Sequence, residues 1–319
     1  MNSVIKKAEI SQIVQDILSD YEGDESIDEI NNYNKPDKQE IHDLIKDLFA
    51  IVYPGYYRDG YYKTFNPESN LAVIIEDVFY HLSKQVYLAL DYCTKRGTLT
   101  DDQRKQESYR ICKAFFARIP KIREYLKTDL KATFDGDPAA GCTDEIILAY
   151  PGLMAITVYR LAHELYLEQV PVLPRLMTEY AHSRTGIDIH PGAAIDQYFF
   201  IDHGTGIVIG ETAMIGKHVK IYQGVTIGAL STRGGQKLSG KKRHPTICDN
   251  VTIYAGASIL GGETVIGENA VIGGNAFITR SIDPNTRVSM KNLEMEYRTE
   301  GKVRKSEELA QGDEWYYVI

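Results

Sequence analysis

Apolar residues follow two rhythms along this chain, and the change comes near Ile187. Up to about residue 185, they recur at i, i+3, i+4 and i+7, the spacing that lines one face of an α-helix. The stretches SQIVQDILSDYEG, DKQEIHDLIKDLFAIVYPG, NLAVIIEDVFYHLSKQVYLALDYCTKRG and TDDQRKQESYRICKAFFARIPKIREYLKTDL each read as one helix. Asp37 with Glu40, and Thr100 with Gln103, stand at capping-box spacing, and Gly97 falls where a helix would end. A further helical stretch, 143–169, stops near Pro171 and Pro174, and a short helix through Tyr180 leads to Gly186.

From Ile187 the period becomes six. Ile189, Ile195, Ile201, Ile207, Ala213, Val219 and Val225 keep one beat, and Ile247, Ile253, Ile259, Val265, Val271 and Phe277 resume it. Hexads with Gly and Asn at their corners are the pattern of a parallel β-helix, each aliphatic residue pointing inward. Three hexads close a coil, so residues 18 apart are expected to stack at about 4.8 Å. The step from Val225 to Ile247 is not a multiple of six, so GALSTRGGQKLSGKKRHP (228–245) must leave the prism as a loop. Loops on a rigid scaffold are where binding groups tend to sit. The expected division is a helical domain over 1–185, a β-helix over 186–288 with its 228–245 loop, and a tail over 289–319.

Composition narrows the function. The chain has 319 residues, 43% of them hydrophobic, and a net charge of −8. That is a globular profile with no basic nucleic-acid footprint. MNSVIKKAEISQIV lacks the apolar core of a secretory signal, and the longest near-apolar run, 146–159, is short and contains Pro151 and Gly152. A cytoplasmic protein without membrane attachment is expected. Cys93, Cys112, Cys142 and Cys248 form no CxxC pair and are expected to be free, mostly buried thiols rather than a zinc cluster.

The chemistry gathers in IDIHPGAAIDQYFFIDHGTGIVIGETA. His203 stands two residues past an inward aliphatic, on the corner side of its coil, and Asp188 precedes it by one coil. Such a pair can activate a hydroxyl, the aspartate fixing the imidazole tautomer, or can merely brace a corner; the spacing leaves both open. GTGIVIG lacks the strand–turn–helix setting of a phosphate loop.

The segments DIHPGAAI, DHGTGIVIGETA, YQGVTIGA and RHPTICDNVTIYAGASILGGETVIGENAVIGGNA, behind a helical region, resemble the serine O-acetyltransferase family of hexapeptide acyltransferases. The resemblance implies an α+β chain, an all-helical N-terminal domain followed by a left-handed parallel β-helix of hexapeptide repeats. It implies acetyl transfer from acetyl-CoA to L-serine, with no tightly bound cofactor and no metal. By the same likeness His203 is the general base, Asp188 its partner and His244 a second active-site histidine. Asp137 and Asp202 take the serine ammonium, and Arg243 offers its carboxylate a planar fork. Gly228, Ala255, Gly256 and Gly273 line the pantetheine arm, and Lys241 and Lys242 either meet the CoA phosphates or form an ordinary solvated loop. His190 reads as structural and His218 as surface. A trimer or a dimer of trimers is implied. The polar tail KSEELAQGDEWYYVI reads as mobile, and its apolar end either folds back on the helices or, by likeness to other tails of the family, seats Ile319 in O-acetylserine sulfhydrylase, with Tyr317 and Val318 at the pocket mouth. Other readings are a homoserine or sugar acceptor, an inactive scaffold, or a γ-type carbonic anhydrase with zinc on His190, His203 and His218.

Overall fold

The computed structural model describes residues 7–21, 35–57, 66–92, 99–290, 296–299 and 302–305. Two compact units result, Met1–Pro36 and Asp37–Ile319. The first contains α1 (Lys7–Asp20), whose Ile10, Ile13, Val14, Ile17 and Leu18 are about half exposed. The second runs without a break in packing from the remaining helices into the coils.

In that unit the helices are α2 (Lys38–Val52), α3 (Pro67–Ala89), α4 (Asp101–Gly136), α5 (Thr143–Ala149), α6 (Pro151–Leu167) and α7 (Leu173–Thr185). Thr100 opens α4 with the reciprocal capping box that its spacing predicts. Asp37 caps α2 through Gln39 and Glu40 N–H, but its own N–H goes to Gln85 while Glu40 turns to Lys84 and Gln85, so no reciprocal box forms. The stretch 143–169 is two helices rather than one, bent by 72°. Pro151 forces Tyr150 out of the helical region, to φ −82° and ψ 119°, and starts a new helix. Gly97 and Cys93 lie outside the described residues. Of the other thiols only Cys112 is buried; Cys142 is exposed and Cys248 half-buried, which corrects the expectation of mostly buried cysteines. No single helix among the described residues is long and apolar enough to cross a membrane.

The coils wind as a left-handed parallel β-helix with three faces. The first face holds β1 (Asp188–Ile189), β4 (Val208–Ile209), β7 (Thr226–Gly228), β10 (Ser258–Leu260) and β13 (Phe277–Ile278). The second holds β2 (Ala194–Ile195), β5 (Met214–Ile215), β8 (Thr246–Ile247) and β11 (Val265–Ile266). The third holds β3 (Phe200–Asp202), β6 (Lys220–Tyr222), β9 (Thr252–Ile253), β12 (Val271–Ile272) and β14 (Arg287–Val288). Ile189, Ile209, Ile227, Ile259 and Ile278 stack up the first face, each at most 9% exposed. Burying each such side chain stabilises the fold by about 1.5–3 kcal/mol.

Register departs from the expected 18 in two informative places. Ile209 pairs with Ile227, 18 residues on, but Ile189 pairs with Ile209, 20 residues on. The two additional residues lie in the DHGTG corner. The beat at Ile207, Ala213, Val219 and Val225 is therefore that of the buried corner positions, two residues ahead of the strand positions Ile209, Ile215, Ile221 and Ile227. Beyond Ile259 a single additional residue at Leu260–Gly262 moves the inward set to Ile266, Ile272 and Ile278. Val265 and Phe277, expected inside, are 38% and 68% exposed, and Val271 is half-buried. A one-residue slip turns alternate side chains to the opposite face.

One buried ion pair fastens the helices to the first coil. Arg160 of α6 donates from Nε and Nη2 to both oxygens of Asp129 on α4, at 2.6 and 2.9 Å. The same guanidinium reaches the carbonyls of Ile195 and Asp196, and Asp129 accepts from the Phe199 N–H at 3.0 Å. Every polar atom drawn from water has a partner, the condition under which such a pair is tolerated.

In the tail, the backbone of β15 (Glu296–Thr299) and β16 (Lys302–Lys305) forms an antiparallel pair just ahead of the segment expected to be mobile, whose residues 306–319 lie outside the described ones. Tyr317, Val318 and Ile319 lie outside the described residues.

Candidate active site

The lengthened corner sets the site. His203 follows β3 at φ +56° and points outward, its side chain 68% exposed. Its Nε2 lies 3.9 Å from Oδ1 of Asp202, which is only 16% exposed. The C-terminus of α4 reaches the same edge. Asp137 caps that helix, its Oδ1 accepting from Ala139 N–H at 2.8 Å and its Oδ2 from the Tyr150 hydroxyl at 2.7 Å. That hydroxyl holds the Asp137 carboxyl below the usual carboxylate range, and Asp137 in turn pushes Tyr150 up to about 12. Asp137, Asp202 and His203 thus share one corner, an acidic place for a cation beside an accessible imidazole.

Arg243 and His244 occupy a different corner, between β7 and β8. Residues 229–244 leave the prism there as the sequence requires, with one 3-10 turn at Gly235–Leu238. Arg243 is anchored by Glu211, which also accepts from the Tyr166 hydroxyl at 3.0 Å. Burial works against ionisation of Glu211, but the bonds from Arg243 and Tyr166 outweigh it and hold its carboxyl low. His244 is 7% exposed. Its Nδ1 accepts from the Thr212 N–H at 3.0 Å and meets Thr212 Oγ1 at 2.8 Å. Thr212 Oγ1 already accepts from the N–H groups of Arg243 and His244, so its own proton points to Nδ1. The neutral ring therefore carries its hydrogen on Nε2. Burial, with Arg243 beside it, lowers the imidazole pKa to about 4. His244 is a hydrogen-bond donor and cannot be a base at that nitrogen.

Asp188 stands level with Val208 across the ladder, and Arg175 of α7 donates to its Oδ1 at 3.2 Å. The carboxylate beside His203 is thus Asp202, while Asp188 has an arginine partner. Ala255, Gly256 and Gly273 lie on higher coils of the His203 corner, and Gly228 ends β7 at the mouth of the loop. Gly206, Gly224 and Gly256 form a column there with φ between +71° and +83°, leaving bare backbone. Lys242 turns inward to the His244 carbonyl and is partly desolvated, which lowers its pKa; Lys241 lies exposed in the loop. His190, His203 and His218 sit at three different corners of the prism. The one group among the described residues with metal-ligand spacing is Glu179, His182 and Asp188, and it includes none of those three.

Sequence reasoning missed Tyr150, Arg175, Glu211 and Thr212. Glu211 and Thr212 stand inside the DHGTGIVIGETA segment, so a signal was at hand; their partners are more than 30 residues away. Tyr150 and Arg175 are marked only by the prolines beside them.

No protein-family model matches the chain. A plasmid-encoded serine acetyltransferase of Synechococcus elongatus is 40% identical over 232 residues, 70% of this chain and 72% of that protein. The serine acetyltransferase of Bacillus subtilis is 49% identical over 132 residues, 41% of this chain and 58% of that one. Among solved structures, Entamoeba histolytica serine acetyltransferase 1 in complex with L-cysteine superposes with a TM-score of 0.68 at 36% identity, covering 88% of this chain and 98% of that chain. Neisseria gonorrhoeae serine acetyltransferase in complex with serine gives 0.52 at 28% identity, covering 79% and 95%. With 72% of a 40%-identical relative covered, and the helices and coils matching in order, the chain belongs to the serine acetyltransferase family.

Proposed function

We propose that this protein transfers the acetyl group of acetyl-CoA to the hydroxyl of L-serine, giving O-acetylserine on the way to cysteine. The observation that carries the reading is the corner where Asp137, Asp202 and an exposed His203 converge. The acids receive the serine ammonium, and this sets the hydroxyl beside the imidazole. His203 takes the hydroxyl proton as the serine oxygen attacks the thioester carbonyl. The tetrahedral intermediate then expels the CoA thiolate, which takes the proton from the imidazolium. Rotation of the exposed His203 toward Asp188 gives the imidazolium a carboxylate partner. The bare glycine column on the same corner suits a pantetheine arm, with Ala255 and Gly273 beside it, and Gly228 and Lys241 at the loop corner that a neighbouring chain would bring to the arm and its phosphates.

Arg243 and His244 lie at another corner of the same prism, so a complete site needs two chains. A homotrimer, alone or doubled, brings the Arg243 fork to the serine carboxylate and the His244 Nε2–H to the oxygen that gains charge in the transition state. L-cysteine, bound in the Entamoeba relative, differs from serine by one atom and suits the same groups. The C-terminal Ile319 is proposed to anchor O-acetylserine sulfhydrylase; deleting it should abolish that complex, and an intact complex would refute the assignment.

The deciding experiment is CoA release with L-serine, L-homoserine and a galactoside as acceptors, in wild type and His203→Ala. Serine should be preferred, and His203→Ala should lose about 10²–10⁴-fold in turnover, the usual weight of a general base. Near wild-type turnover in the variant would end this reading.

A further inference from the structure

Lys220 has no counterpart in the reading above, yet its ammonium sits at the centre of the acceptor corner. It projects from the first position of β6, in register with Phe200 one coil below. Its Nζ donates to the Gly136 carbonyl at 2.8 Å and lies 3.8 Å from Asp202 Oδ2. The Phe200 and Tyr222 rings flank it, with centroids at 4.6 and 4.8 Å. Only 23% of the side chain is exposed.

Each contact has a consequence for the acids. Gly136 is the last residue of α4, so Lys220 satisfies a carbonyl that the helix end leaves without a partner. A cation there also complements the helix dipole. Gly136 lies directly on Phe200, where a Cβ would stand 2.7 Å from Cε1. The next residue is Asp137. One ammonium therefore ties the segment bearing Asp137 to the strand bearing Asp202, and offsets the repulsion between two carboxylates carried by different elements.

We propose that Lys220 is a positioning and specificity residue of the acceptor-amine site: it holds Asp137 and Asp202 together and leaves them one net negative charge, matched to one ammonium. The inference rests on the proposed function and deepens it. It predicts a defect in acceptor binding rather than in chemistry, because the ammonium is held alike in the ground and transition states. Lys220→Met should raise the serine KM about tenfold and leave kcat within about threefold, the pattern of lost uniform binding. The acetyl-CoA KM should not move. Lys220→Arg, which keeps the charge and the donors, should restore the serine KM to within about threefold of wild type.

Wild type is assayed first. If it does not acetylate serine, the proposed function fails, and the Lys220 assignment falls with it. If wild type acetylates serine and Lys220→Met has an unchanged or lowered serine KM, the Lys220 assignment alone fails. It also fails if Lys220→Arg is as impaired as Lys220→Met, which would make the lysine a packing element. Should Lys220→Met not fold, Lys220→Gln serves in its place under the same criteria.

Discussion

Gly210 is the position where one methyl group should do most damage to this enzyme. A Cβ there would stand 2.1 Å from both Cδ2 and Nε2 of His244. Ordinary carbon contacts are about 3.5 Å, so the ring must retreat by roughly 1.4 Å. Retreat is resisted: His244 is buried, its Nδ1 is held by Thr212, and its carbonyl is held by Lys242. The backbone does not object to alanine, since Gly210 is outside the left-handed region and keeps its N–H bond to the Ile227 carbonyl at 3.0 Å. The clash is the whole perturbation. Displacing a catalytic group by about 1 Å costs on the order of 10²-fold, and overpacking about 1–3 kcal/mol of stability. Gly210→Ala should therefore fold, melt a few degrees lower, and lose about 10²-fold in serine-dependent CoA release. The His244→Ala background supplies the control: with the ring gone, Gly210→Ala should cost little more, and the two effects should not add. Activity of Gly210→Ala within about threefold of wild type, or full additivity, would refute the placement of His244 over Gly210 and its part in the reaction.

Two further outcomes follow from the packing. Asp129→Asn leaves Arg160 charged and buried without its counter-ion, and should cost about 3–5 kcal/mol in denaturant unfolding; a loss under about 1 kcal/mol would mean that the pair does not fasten the helices to the first coil. His244 is buried and neutral with a folded pKa of about 4, below the ordinary value of about 6.5 for an unfolded chain. Above pH 6.5 it adds nothing, but as pH falls toward 4 the unfolded state takes up a proton that the folded state refuses, so stability declines across that window. His163 and His190, also held low by burial, act in the same direction. Unfolding midpoints measured between pH 7.5 and 4.5 should fall less steeply in His244→Gln, and an unchanged slope would contradict the assignment.

The chain's local grammar determined a good deal. Helical spacing located the helices, Thr100 and Gln103 announced a capping box, and the six-residue beat announced a parallel β-helix with a loop at 228–245. These features follow from short-range sterics and from the need to bury one face of each element, and both are written in neighbouring residues. The break at Tyr150–Pro151 was legible too, had the proline been weighed above the run of apolar residues around it. What only the tertiary structure decided depends on contacts across long separations. A repeat of six cannot say whether Ile207 is a strand or a corner residue, because both positions are buried; the ladder pairing of Ile189 with Ile209 settles it and shows the DHGTG corner to be two residues longer. Past Ile259 one additional residue reverses which of Val265 and Ile266 faces inward, and either is apolar enough to satisfy a pattern. The partners of the site residues, Tyr150 on Asp137, Glu211 on Arg243, Thr212 on His244 and Lys220 beside Asp202, are polar groups that could serve equally well in water. Only the folding of α4 and α6 against the first coils, and of the loop back onto the second, brings these groups within reach of one another.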